Sequence, residues 1–238
     1  AEQTAREFGV PRAETDANAI IDDPIINAVL IATRHGSHAE LTARALAAGK
    51  SVLVEKPLGL TMDEIEHVAA ARDDAKGFFQ VGFNRRFAPL SRSLLVSLNK
   101  IPGPRFLVIR INAGAMEGDS WVLDPQEGGG RILGEMCHFV DLARFFAGQP
   151  IVSVQADCAA SADASCQDAT AMLRFADGSL ATIAYTALGD SGANKERIEA
   201  YAGGAAAVLE DFKHLTIQHD GKNILDSKSG QDKGIRAE

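Results

Sequence analysis

The sequence predicts an α/β region reaching about residue 85, followed by an α+β region built on an open, largely antiparallel sheet. Three observations carry that reading. Residues 27–33 (NAVLIAT), 51–55 (SVLVE) and 78–83 (FFQVGF) are largely apolar runs of strand length without alternation, as expected for parallel strands covered on both faces. Helix patterns separate these runs, giving strand, helix, strand, helix, strand. After Pro150 the chain turns to alternating segments, with a hairpin signal at Asp177-Gly178.

Taken in order, residues 1–8 read as the end of an amphipathic helix stopped by Gly9 and Pro11. Asp16 can cap a short helix through Ile21. After the first strand, Ser37 is placed to cap a helix that Gly49 ends. A second helix over 61–75 opens on a capping box, Thr61 with Glu64. Residues 86–100 look helical, with Pro89 in a tolerated first-turn position. The run 105–113 alternates like a half-solvated strand. A Gly, Asp and Pro-rich loop over 114–130 leads to an apolar helix at about 131–147. Strands follow at 151–159, on both sides of Asp177-Gly178 within 168–188, and at 196–202, 205–211 and 214–220. The polar tail, 221–238, is expected to fray.

The net charge of −8, with no basic run, argues against a nucleic-acid surface. No apolar run is long enough to span a bilayer, and the first residues lack the basic start and apolar core of a signal peptide. A cytoplasmic protein is therefore expected. Cys137, Cys158 and Cys166 have no metal-site spacing and make no disulfide framework, so reduced, buried thiols are expected.

Chemistry-bearing residues gather in three stretches. Lys56 follows a buried parallel strand at its carboxyl end, where α/β folds bind ligands. Glu55 precedes it, and Pro57 biases it towards extended backbone. A lysine partly desolvated there can exchange a proton near neutral pH; on spacing alone, a solvated strand-end lysine is the simpler reading. In 128-GGGRILGEMCHFVDLARFFAG-148, Arg131, Glu135, His138, Asp141 and Arg144 lie about one helical turn apart. A carboxylate near His138 can hold its imidazole, although a polar helix face explains the same spacing. Three glycines before this helix permit tight backbone or close approach of a ligand. The third stretch is 32-ATRHGSHAEL-41, where Thr33, Arg34 and His35 follow a strand and a helix begins. Free amides at such a start favour an anion, and His38 is either part of that site or an ordinary surface residue.

These stretches, in this order, resemble the Gfo/Idh/MocA family of NAD(P)-dependent oxidoreductases. Residues 29–59 look like the family's strand, helix and Glu-Lys-Pro segment, 81-VGFNRRFAP-89 like its crossover between domains, and 128–148 like the motif holding a catalytic histidine. The resemblance implies a partial dinucleotide-binding domain over 1–85 and a substrate and oligomerisation domain over 86–238. It implies that Lys56 and His138 handle the substrate's hydroxyl proton. Thr33, Arg34, His35, His38, Glu55, Pro57 and Asn84 would lie along NAD or NADP. Arg85 and Asp141 would face a sugar-like substrate. Read from the residues alone, Trp121 is either an aromatic wall for that substrate or a core tryptophan, and the alternation in 169–188 leaves a second sheet face free to form a homo-oligomer. No metal, membrane or nucleic-acid partner is expected.

The sequence departs from the family pattern twice. Gly134 stands where the motif has an aspartate, four residues before His138, and Glu135 is the candidate replacement. No GxGxxG turn occurs in the 238 residues, so the Rossmann-type, doubly wound sheet is expected to be incomplete, as in a fragment. The GGGRI-x-GE-x-CHF-x-D variant resembles a subgroup in which this module follows a zinc-type alcohol dehydrogenase module. Two functions follow: an oxidoreductase acting on a secondary alcohol or ketone of a sugar, cyclitol or nucleotide sugar, or a non-catalytic binding or assembly module on the same fold.

Overall fold

The computed structural model describes residues 2–116, 118–159 and 166–238, apart from the side chains of Glu2 and Thr4. Ala1, and Glu117 in the 114–130 loop, therefore fall outside the described residues. The chain divides into two compact units, residues 1–82 and 83–238.

The first unit runs α1 (Glu2–Glu7), α2 (Asn18–Ile21), β1 (Ala28–Ile31), α3 (His38–Ala47), β2 (Ser51–Glu55), α4 (Met62–Asp74) and β3 (Phe79–Gly82). The strands form a parallel sheet in the order β1-β2-β3. Ile31, Val52 and Val54 pack with Ala43 and Leu46 of α3 and Val68 of α4. Each such aliphatic side chain contributes about 1.5–3 kcal/mol when fully buried.

The expectation that both faces of these strands are covered does not hold among the described residues. Right-handed crossovers between successive neighbouring strands put both helices on one face, and Leu30 is left 66% exposed. The capping box is present: Thr61 Oγ1 accepts from Glu64 N, and a Glu64 carboxylate oxygen accepts from Leu60 N. Ser37 does not cap α3; its hydroxyl is engaged with Arg34 O and Thr33 Oγ1. The reason is local, because residues 35–37 form a 3₁₀ turn that already leads into the helix.

The second unit contains α5 (Pro89–Leu98), β4 (Phe106–Asn112), α6 (Cys137–Ala147), β5 (Ile151–Cys158), β6 (Ala169–Phe175), β7 (Leu180–Thr186), β8 (Glu196–Ala202), β9 (Ala205–Glu210), β10 (His214–His219) and β11 (Lys222–Lys228). Its eight strands lie in the order β11-β10-β9-β8-β4-β7-β6-β5, antiparallel except for β4 with β7. The inward set, including Leu107, Ile109, Leu173, Ile183 and Ile198, packs with Leu94 of α5 and Phe139, Leu142 and Phe146 of α6. The opposite face keeps Phe106, Met172 and Tyr201 partly exposed.

Two expectations are corrected here. The tail does not simply fray. Residues 222–228 pair as β11, and Lys233 and Gly234 fold back on residues 84–88. A Cβ on Gly234 would overlap the backbone of Asn84, Phe87 and Ala88. The thiols are not all reduced and buried. Cys158, the last residue of β5, and Cys166, three residues before the strand β6 that pairs with it, are disulfide-bonded, with Cα atoms 6.1 Å apart. Cys137 is free and half-buried.

Candidate active site

In the first unit the candidate residues collect at the carboxyl ends of β1 and β2. Thr33, Arg34 and Glu55 are exposed, Lys56 is half-buried, and His35 and Pro57 are buried. The Lys56–Pro57 peptide is cis, and Lys56 N lies 3.3 Å from a Glu55 carboxylate oxygen. His38 is neither exposed nor open to a ligand. It has no accessible surface, and its ring nitrogens lie 2.8 Å from Pro57 O and 3.0 Å from Thr33 O. Cofactor contact by His38 is thereby corrected, since its polar atoms face protein carbonyls.

In the second unit a π turn, Ile132–Met136, leads into α6. Such turns insert one residue into a helix and cluster at functional sites. Here the turn contains Glu135 and Gly134, just before His138. The added residue changes the angular relation of Glu135 to His138 from that of a regular helix. The Glu135 carboxylate lies 3.3 Å from Arg131 Nε, accepts from Tyr185 Oη at 2.8 Å and pairs with Lys195 Nζ at 3.8 Å. Burial pushes the Tyr185 phenol well up, and the neighbouring Glu135 charge adds to that.

His138 is 7% exposed, with the Phe83 ring edge-on at 6.1 Å. Arg131, 3% exposed, donates to the carbonyls of Ala113 and Gly114 and so anchors the start of the 114–130 loop. The glycines that end the loop have structural reasons. A Cβ on Gly128 would overlap the Val122 backbone, and Gly129 and Gly130 have positive φ. Trp121 is half-buried in a 3₁₀ turn of the same loop.

The remaining candidates are tied into ion pairs. Arg85 donates to Glu196 at 2.7 Å and stacks on Phe139. Lys233 shares the same Glu196 oxygen at 3.0 Å. Burial pushes the Glu196 carboxyl up, but the two cations outweigh it and hold it below its ordinary value. Arg86 grips both oxygens of Asp141. Burial is the larger influence on Asp141 and raises it despite that pairing. Asn84 donates to Lys233 O.

Sequence reasoning missed Tyr185, Lys195, Glu196 and Lys233. Alternation does place Tyr185 inward with Ile183, and a buried phenol calls for a partner. For the others no local signal exists, because their partners lie far away along the chain.

Two family models cover most of the chain: an oxidoreductase family, NAD-binding Rossmann fold, over residues 1–83, and the GFO/IDH/MocA C-terminal domain over residues 99–206. The chain belongs to the Gfo/Idh/MocA oxidoreductases. Myo-inositol 2-dehydrogenase of Thermotoga maritima is 27% identical across 97% of this chain and 68% of its own length. The scyllo-inositol 2-dehydrogenase (NAD(+)) of Bacillus subtilis is 31% identical over 65% of this chain, an alignment spanning only 45% of that protein. Among solved structures, an apo levoglucosan dehydrogenase superposes with a TM-score of 0.85 over 99% of this chain and 70% of its own, at 23% identity. That likeness speaks to fold: a Rossmann-like parallel sheet followed by a mixed-sheet domain.

The exposed polar groups of the first unit are of a kind that a dinucleotide can take: Thr33 and Arg34 at one strand end and the Glu55 carboxylate, an acceptor for hydroxyls, at the next. Among the described residues, no group of three or more His, Cys, Asp or Glu side chains could hold a metal ion, and no helix is long and apolar enough to cross a membrane.

Proposed function

We propose that the whole protein to which these residues belong is an NAD(P)-dependent oxidoreductase that interconverts a secondary alcohol and a ketone on a sugar, cyclitol or nucleotide sugar. The observation that carries this is the Glu55-Lys56-Pro57 turn at the carboxyl end of the central parallel strand, in a chain of this family. The bound nicotinamide supplies the hydride acceptor or donor. In the oxidative direction the substrate's C–H leaves as hydride, and its O–H proton passes to a base, for which Lys56 Nζ of the first unit and the His138 imidazole of the second are the candidates. Pro57 shapes the Lys56 loop, and Thr33, Arg34, His35 and Glu55 orient the cofactor. Asn84, Arg85 and Asp141 support the substrate side, and Trp121 on its glycine-anchored loop supplies an apolar wall. Glu135, taken up by Arg131, Tyr185 and Lys195, acts on the substrate side only through that network.

The test is turnover by the whole protein of inositols, anhydro sugars and pentoses with NAD+ and with NADP+, read by nicotinamide absorbance. Turnover lost in both Lys56→Met and His138→Asn supports the proposal. Undiminished turnover in either variant removes that residue from the mechanism. A second reading, a non-catalytic binding or assembly module, is favoured by Gly134 in the aspartate position and by the engagement of Glu135. It predicts saturable polyol binding without turnover.

We also propose that the pyrophosphate is held by a glycine-rich turn not contained in these 238 residues, and that this chain alone therefore binds NADH or NADPH weakly. Micromolar affinity in a fluorescence titration would refute this. The likeness of the 128–141 motif to modules fused behind a zinc-type alcohol dehydrogenase part belongs to the same proposal, and the intact mass of the parent protein tests it. A cytoplasmic location and a homo-oligomer formed through the open face around Phe106, Met172 and Tyr201 complete the reading. Sedimentation as a monomer at high concentration counts against the oligomer.

A further inference from the structure

We propose that His38 is a positioning residue that locks together the two ligand-facing loops of the parallel sheet and so fixes where Lys56 stands. The inference rests on the reading of Lys56 as a proton-handling group. It goes beyond that reading by assigning a role to a buried side chain that the reaction itself does not use.

The geometry begins with the sheet. β1 and β2 are adjacent and parallel, paired as far as Ile31 with Val54. Beyond that point the ladder ends. The imidazole of His38 bridges the two loops. Nδ1 lies 2.8 Å from Pro57 O, two residues past the end of β2, and Nε2 lies 3.0 Å from Thr33 O, two residues past the end of β1.

Both partners are carbonyl oxygens, which only accept, so each bond requires a hydrogen on the nitrogen that faces it. A neutral ring has one N–H and donates to one of the two; in either tautomer the rigid ring fills the space between them.

Two features make the contact directive. His38 is fully buried and opens α3, flanked by buried Ala39, Thr42 and Ala43, so the ring cannot swing away. Pro57 has its φ fixed by its own ring, so the position of its carbonyl is passed to the peptide that carries Lys56. A group held this way acts through Lys56 and touches neither substrate nor cofactor. Displacements of about 1 Å in a catalytic group can lower rates by about a hundredfold, so a loosened loop should register in the chemistry.

The test uses the whole protein and three variants. His38→Phe keeps the ring volume and removes the imidazole's hydrogen-bond donor. His38→Gln keeps an amide donor. Lys56→Met reports separately on the functional reading. Amide hydrogen exchange is expected to rise in His38→Phe in both 33–37 and 56–60, with the rest of the first unit protected as before. The same variant is expected to lose more than about tenfold in kcat, with a displaced pH profile and a KM for substrate that changes little. His38→Gln should recover part of both effects.

Unchanged exchange in either segment of His38→Phe overturns the proposal. So does a rate that falls only in proportion to the folded fraction with a superimposable pH profile. If Lys56→Met keeps full turnover while exchange rises as expected in His38→Phe, the functional reading fails and the structural link between the loops stands.

Discussion

The candidate residues of the two units, Lys56 in one half of the chain and His138 in the other, are held in different ways. Around Lys56 the positioning is local and largely main-chain: strand ends, a proline, and an imidazole between two carbonyls. Around His138 it relies on side-chain charge. A π turn precedes the histidine, Arg131 and Glu135 pair four residues apart, and the buried Glu196 carboxylate is shared by half-buried Arg85 and Lys233 from distant segments. The first arrangement should respond to substitutions that move backbone and be nearly indifferent to salt. The second should respond to charge removal and to pH. That difference sorts the predictions below.

The largest expected effect treats the halves alike. Lys56→Met and His138→Asn should each lower kcat by about 10²–10⁴, the range for loss of a proton-transfer group, with little change in cooperative unfolding. If only one of them lowers kcat on this scale, proton handling belongs to a single half.

The next prediction separates the halves. Glu196 is fully buried between two cations. Glu196→Gln leaves Arg85 and Lys233 without their shared carboxylate and should destabilise the second unit by about 3–5 kcal/mol, as for breaking a buried ion pair from one side. Urea unfolding followed by exchange in that unit measures this. The pH dependence has a definite sign. Arg85 and Lys233 hold the folded-state pKa of Glu196 below its ordinary value. Its contribution is therefore complete above the unfolded value, about 4.3, and is lost as pH falls through the folded value. The gap between wild type and Glu196→Gln should close on acidification below about pH 4. A gap independent of pH would mean that packing, and not charge, dominates at this position.

The same contrast explains what could be read from the sequence. Local devices were legible. The Thr61–Glu64 box, the 177–178 hairpin and the parallel order of 28–31, 51–55 and 79–82 are all present. The first two depend on residues a few positions apart, and the third on apolar runs that are each local although the strands they form pair over more than twenty residues. The triad of Arg85, Glu196 and Lys233 was not legible, because Arg85 and Glu196 lie 111 residues apart and a lone buried glutamate has no periodic signature. The place of His38 is not legible, because sequence spacing gives no view of the Pro57 carbonyl 19 residues away. The π turn was hidden for a related reason: its residues fit an ordinary helix equally well, and only tertiary packing decides between the two.

A smaller test stays within the main-chain half. Thr61→Ala removes the hydroxyl that accepts from Glu64 N and should cost about 1 kcal/mol. The loss should be confined to the first unit and insensitive to salt, because the lost partner is an uncharged hydroxyl. A comparable loss in the second unit would show that the two units unfold as one.

The smallest expected effect is a control on the comparison itself. The first unit does contain an ion pair, Arg44 with Glu40 on α3, at 3.5 Å and with Glu40 largely exposed. Exposed pairs one helical turn apart contribute about 0.3–0.5 kcal/mol, and salt screens them further. Glu40→Ala should therefore shift the denaturation midpoint barely beyond error, and the shift should vanish in molar salt. The buried Glu196 triad should keep most of its effect in the same salt, since its charges are shielded from mobile ions. If the two substitutions respond alike to salt, the triad is open to solvent and the contrast between backbone-set and charge-set halves collapses.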